Sequence, residues 1–121
     1  MMLGMATELH NKVSVNDFGA DNRTIADGLA VGRASGFVGK LMLPHTDGCY
    51  SISDKRMSSL LRLLCDTEDI RLEPSALAGM IGPIVQSSAR GSIPYGTHLV
   101  WATGGSMVPS DELEKYYEAG K

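Results

Sequence analysis

Thr103, Gly104 and Gly105 follow directly on the run His98-Leu99-Val100. That run reads as part of a buried strand over Thr97–Ala102. A hydroxyl therefore sits where a strand ends and a glycine pair begins. In open α/β sheets, ligands bind beyond the carboxyl ends of strands. Glycine there lets backbone approach a flat ligand closely. The plainer reading is a tight turn whose threonine satisfies a nearby backbone group, and on the residues alone that is the commoner case. Glu73 has a similar place, after the apolar Ile70-Arg71-Leu72 and before Pro74. It is either a solvated helix-entry carboxylate or a group at a strand's active end. The third place is Asp27-Gly28, within Thr24-Ile25-Ala26-Asp27-Gly28-Leu29-Ala30-Val31-Gly32-Arg33-Ala34-Ser35, where Asp27 also suits a helix N-cap.

Other reactive side chains lack the spacing that chemistry needs. His10, His45 and His98 form no metal-ligand pattern and adjoin no nucleophile motif. Cys49 and Cys65 have no metal-like spacing, and Cys65 on a leucine-rich helix reads as a small apolar residue. Free thiols point to a cytoplasmic setting. With 121 residues, 43% hydrophobic content and a net charge of −3, the chain suits one domain, residues 1–121, with a modest core. It has no basic stripe for nucleic acid and no apolar run of membrane-spanning length. Met1-Met2-Leu3-Gly4-Met5 does not form a signal peptide.

The elements that must position these groups follow from periodicity. Lys12–Val15, Tyr50–Ile52, Ile70–Leu72 and Thr97–Ala102 read as strands. Residues 16–22 read as a loop, and 28–39 as helical. Ser53 caps a helix from Asp54 to about Thr67, with Met57, Leu60, Leu61 and Leu64 on one face. Pro74 opens a short helix from Ser75 to about Ile81, stopped by Gly82-Pro83. Residues 84–96 read as loop. Ser110 caps a last helix whose stop is Gly120. Strands alternating with helices predict an α/β fold: a partial, mainly parallel sheet with flanking helices.

Three ordered segments carry a resemblance. They are Asp21 through Gly39, then Arg71-Leu72-Glu73-Pro74-Ser75-Ala76-Leu77-Ala78-Gly79-Met80, then Thr97 through Pro109. Together they resemble the C-terminal part of the bacterial D-serine dehydratase (D-serine ammonia-lyase) family. That family is of the tryptophan-synthase-β-like, fold type II class of pyridoxal-phosphate enzymes. The resemblance implies β-elimination of D-serine to pyruvate and ammonia, with the cofactor as electron sink for the Cα carbanion. It also implies cofactor-binding roles. Thr103 would place its hydroxyl against the pyridine nitrogen, and Gly104 and Gly105 would keep the lip open. Glu73 would lie near the ring edge, and Gly28 would meet the ring through its backbone.

The sequence departs from the family pattern where the cofactor would be anchored. The family's Schiff-base lysine lies in a Ser-x-Lys segment upstream of the resemblance. Lys12, Lys40, Lys55, Lys115 and Lys121 lack that context, and nothing matches the phosphate-binding glycine loop. One hydroxyl contact, worth about 1 kcal/mol net, cannot hold the cofactor. The chain thus reads as the C-terminal part of such an enzyme, inactive alone and needing the missing N-terminal portion or self-association. The competing reading is a non-catalytic remnant or interaction module that pairs through an open sheet edge. A small-ligand module outside the family fits the three segments poorly.

Overall fold

The computed structural model describes residues 2–90 and 96–121. The described residues fall into two compact units, Met1–Cys49 and Tyr50–Lys121.

The first unit holds α1 (Met2–Ala6) and α2 (Gly36–Met42), joined by short 3₁₀ turns and loops. Ser35 caps α2 by accepting from the Val38 N–H at 3.3 Å. The turn at Val15–Phe18 is closed by a capping box, with the Ser14 N–H donating to Asp17 Oδ2 at 2.7 Å. That bond and the Ser14 hydroxyl hold the Asp17 carboxyl below its ordinary range. Burial is thin: Met5, Ala26 and Gly39 are buried, while Leu29, Val31, Phe37 and Leu41 are exposed. The helix expected over 28–39 is confined to α2, preceded by a 3₁₀ turn at Asp27–Leu29.

The second unit is built on α3 (Asp54–Glu68). Ser53 caps it, accepting from the Arg56 N–H at 3.3 Å, and Asp54 sits in the first turn where the helix dipole favours negative charge. Its apolar stripe buries Met57, Leu60 and Leu61. The helix ends at Asp69, which turns left-handed (φ 53°) so that its N–H reaches the Cys65 carbonyl at 3.2 Å. Two helices pack against this stripe: α4 (Pro74–Leu77), which buries Ala76 and Leu77, and α6 (Ser110–Ala119), which adds Leu113, Tyr116 and Tyr117.

Helix α5 (Ile81–Arg90) runs through Gly82-Pro83, where the sequence predicted a stop, and into the stretch read as loop. Pro83 lies in its first turn, where a missing N–H breaks no intrahelical bond. The rest of that predicted loop, residues 91–95, lies outside the described residues. Ser110 begins α6 without a side-chain cap; Pro109 holds the cap position. Gly120 does end α6, but at φ −81°. Its use is close approach: a Cβ there would stand 2.9 Å from Arg62 Cβ.

The predicted α/β fold with a mainly parallel sheet is overturned: the described residues contain no strand. The nearest thing is one isolated antiparallel bridge, Ser14 with Arg33. The reason is physical. A strand exists only through a ladder to a neighbour, and strand propensity measures fit to a pleated, half-buried surface. The apolar stretches 50–52, 70–72 and 97–102 find no partner strand among the described residues and remain irregular. Thr97–Ala102, predicted buried, is instead on the surface, with Leu99 85% and Trp101 79% exposed.

Candidate functional site

Three of the four residues singled out from the sequence lie in the second unit, on two segments held together main chain to main chain. Leu72 packs against the core cluster of Leu60, Leu61 and Leu77 and anchors the first segment. Glu73 follows in extended conformation (φ −71°, ψ 153°) and Pro74 opens α4. The Glu73 N–H donates to the Gly104 carbonyl at 3.1 Å, and its own carbonyl accepts from Ala76 at 3.0 Å.

The glycine pair makes this crossing possible. A Cβ at Gly105 would fall 2.5 Å from the Arg71 carbonyl oxygen and 2.6 Å from Leu72 Cα, both backbone atoms. A Cβ at Gly104 would fall 3.2 Å from Glu73 Oε1. Gly104 thus leaves room beside the Glu73 carboxylate, while Gly105 lets the segment lie flat on 71–72. The pair does more than keep a lip open, as the sequence suggested for both.

Thr103 stands one residue before this clasp. It is exposed and its hydroxyl takes part in no hydrogen bond among the described residues. Thr103 lies one residue from the Gly104–Glu73 contact. Gly28 lies in the first unit, exposed within the Asp27–Leu29 turn, and the other three lie in the second. Asp27 is the first residue of that turn and not its cap.

The second unit also holds a polar cavity of about 160 Å³ lined by Cys65, Asp66, Asp69, Arg71, Leu113 and Tyr117, among others. Sequence reasoning missed the cluster on its rim. The Tyr117 hydroxyl donates to Asp66 Oδ1 at 2.6 Å, Arg62 pairs with Asp66 at 3.5 Å, and the Arg62 guanidinium lies 4.7 Å from the Tyr117 ring centroid. The spacing of Arg62 and Asp66 on one helix face was a visible signal; Tyr117, on another helix, gave none. Cys65 donates weakly to the Ile70 carbonyl at 3.5 Å, and burial pushes its thiol up, which disfavours the thiolate. Both cysteines are free thiols. No metal-binding group of His, Cys, Asp or Glu occurs among the described residues, and no described helix is long and apolar enough to cross a membrane.

The Tyr117–Asp66 bond makes a pH prediction. Asp66, as acceptor, raises the Tyr117 pKa above its ordinary 10.0. A raised acid contributes its stability below the ordinary value and loses it as pH rises through the folded one. Thermal melts of wild type and Tyr117→Phe should therefore differ at neutral pH. The gap should close as pH climbs beyond about 10. A gap that is constant with pH would remove Asp66 as the cause.

No family model matches the chain. The curated relatives are more telling. A probable D-serine dehydratase of Bacillus cereus (strain ATCC 14579) is 54% identical over 129 aligned residues, spanning 99% of this chain. Those of Bacillus mycoides (strain KBAB4) and Bacillus thuringiensis (strain Al Hakam) are 53% and 52% identical over 130. The matched stretch is the C-terminal part of those proteins. This chain matches the C-terminal part of the D-serine dehydratase family. It spans 29% of the length of the relatives it matches. The aligned stretch is longer than the chain, so the D-serine dehydratases carry residues within it that this chain lacks.

Proposed function

We propose that this chain is the C-terminal part of a pyridoxal-phosphate-dependent D-serine ammonia-lyase, with D-serine as substrate and pyruvate and ammonia as products. The observation that carries this reading is identity of 52–54% along essentially the whole chain to proteins named probable D-serine dehydratase. The geometry at the clasp supports it. An exposed Thr103 and a side-chain-free Gly104 beside the Glu73 carboxylate suit one edge of a planar heteroaromatic group. The residues present do not supply its covalent lysine or its phosphate cradle.

When bound, the cofactor supplies the electron sink that lets the Cα proton leave and the β-hydroxyl depart. The chain's own residues act at its rim. Thr103 would hold the ring nitrogen by donating a hydrogen bond to it, which would favour the unprotonated nitrogen where a carboxylate would favour the pyridinium. Glu73 would lie at the ring edge, and Gly104, with no side chain, would admit the ring plane. The setting proposed is the cytoplasm, in keeping with the two free thiols.

The test is reconstitution. The chain is mixed with a separately produced polypeptide carrying the remainder of the Bacillus cereus relative, then with pyridoxal phosphate and D-serine, and pyruvate is assayed. The mixture should form pyruvate and the chain alone should not. Thr103→Val keeps the shape and removes the donor, and should lower kcat about tenfold, the worth of one hydrogen bond to the reacting system. No pyruvate from the wild-type mixture would end the catalytic reading. It would favour the alternative of a non-catalytic interaction module, to which the exposed Thr97–Ala102 segment also lends itself.

A further inference from the structure

We infer that Val100 is a positioning residue for Thr103: seated at Gly79, it pins one end of the short stretch that carries the hydroxyl, and the Gly104–Glu73 clasp pins the other. This deepens the proposed role of Thr103 and rests on it. From Gly96 to Thr103 only Val100 is half-buried, and every other residue is exposed. Its Cγ1 lies 3.5 Å from where a Cβ on Gly79 would stand, so the valine lies over a turn that offers it no side chain. Gly79 belongs to the turn Ala78–Met80 between α4 and α5. That turn is tied to the core on both sides, by the fully buried Leu77 and by Met80, which packs on the Leu60, Leu61 and Leu77 cluster.

Main chain does not order this stretch: Leu99 through Thr103 make no backbone hydrogen bond to another described residue. Its order comes from its two ends, Val100 at Gly79 and the Gly104 carbonyl accepting from the Glu73 N–H at 3.1 Å. Only Trp101, Ala102 and Thr103 lie between. A stretch that short, fixed at both ends, has few backbone conformations open to it, and released at one end it regains them. Valine suits the pin because its branched Cβ restricts χ1, so a contact at Cγ1 also fixes the backbone behind it. A hydrogen bond weakens steeply as its angle departs from linear. Loss of the pin therefore reaches the chemistry through the Thr103 hydroxyl.

The first test uses the chain without cofactor and reads the order of the Thr103 amide by nitrogen-15 relaxation. The order parameter should be near about 0.85 in the wild type and below about 0.6 in Val100→Ala, with α3 unchanged. Helical circular dichroism should stay as it is, since Val100 lies outside the core cluster. Val100→Ile keeps the branched carbon and should keep the order. Gly79→Ala added to Val100→Ala returns a methyl to the gap and should restore part of it. The second test uses the reconstituted mixture. Val100→Ala should lower kcat about tenfold with KM for D-serine unchanged, as loss of the Thr103 donor does. In a Thr103→Val background it should lower kcat no further, because both changes act through one hydroxyl. A general loosening of the fold would lower kcat in both backgrounds alike. A Thr103 amide that is mobile in the wild type, or as ordered in Val100→Ala as in the wild type, overturns the inference. So does a second tenfold loss in the Thr103→Val background. Loss of order in the free chain with no pyruvate from the wild-type mixture leaves the pin intact and removes the lyase reading alone.

Discussion

Leu77→Ala should unfold the second unit at temperatures well below the wild type. Leu77 is fully buried (0% exposed) in the cluster with Leu60 and Leu61, where α3, α4 and α6 converge. Truncation removes its transfer free energy and leaves a cavity that rigid neighbours on three helices cannot collapse. The cost is about 2–5 kcal/mol, and the melting temperature should fall by about 8 °C or more. Leu77→Met conserves volume and should cost less than about 1.5 kcal/mol. Melts followed by circular dichroism decide the matter. Equal melting of Leu77→Ala and wild type would show that the three helices do not share this core.

Gly105→Ala should damage the site more than it damages the fold. The new methyl would meet two backbone atoms, the Arg71 carbonyl at 2.5 Å and Leu72 Cα at 2.6 Å, and neither can rotate away. The 103–107 segment must lift, which breaks the Glu73 N–H to Gly104 bond and carries Thr103 away from Glu73. Overpacking of this kind costs about 1–3 kcal/mol. Misplacement by about 1 Å lowers activity of a reconstituted enzyme about a hundredfold. Gly104→Ala presses only on the Glu73 carboxylate at 3.2 Å, which can swing aside, so its effect on stability should be small. Gly48→Ala faces open space and serves as the neutral control. If Gly104→Ala and Gly105→Ala behave alike, the crossing at 71–72 is not what orders this loop.

How much of this was legible follows from which signals are local. Helix α3 was readable because its stripe, Met57, Leu60, Leu61 and Leu64, repeats along one segment and Ser53 marks its start. The start of α5 was misread because Gly82-Pro83 was taken as a stop, although Pro83 is harmless in the first turn of a new helix. The strands were misread for a different reason. An alternating apolar pattern states that a segment wants a sheet, not that a sheet is present. Among the candidate groups, Thr103 and Glu73 were each found from their own neighbours. Their approach through Gly104 and Gly105 was not, because packing across segments leaves no period in the chain. Tyr117 escaped notice alongside Asp66 for the same reason.

The clasp between Glu73 and Gly104 uses only main-chain atoms, so the side chains on either side of it are not needed to hold the lip in place. Exchanging the hydroxyl at position 103 for a carboxylate or an amide would change the polar group at the rim without asking the backbone to refold. A scaffold of this kind separates architecture from reactivity, and leaves neighbouring chemistries within reach of single codon changes.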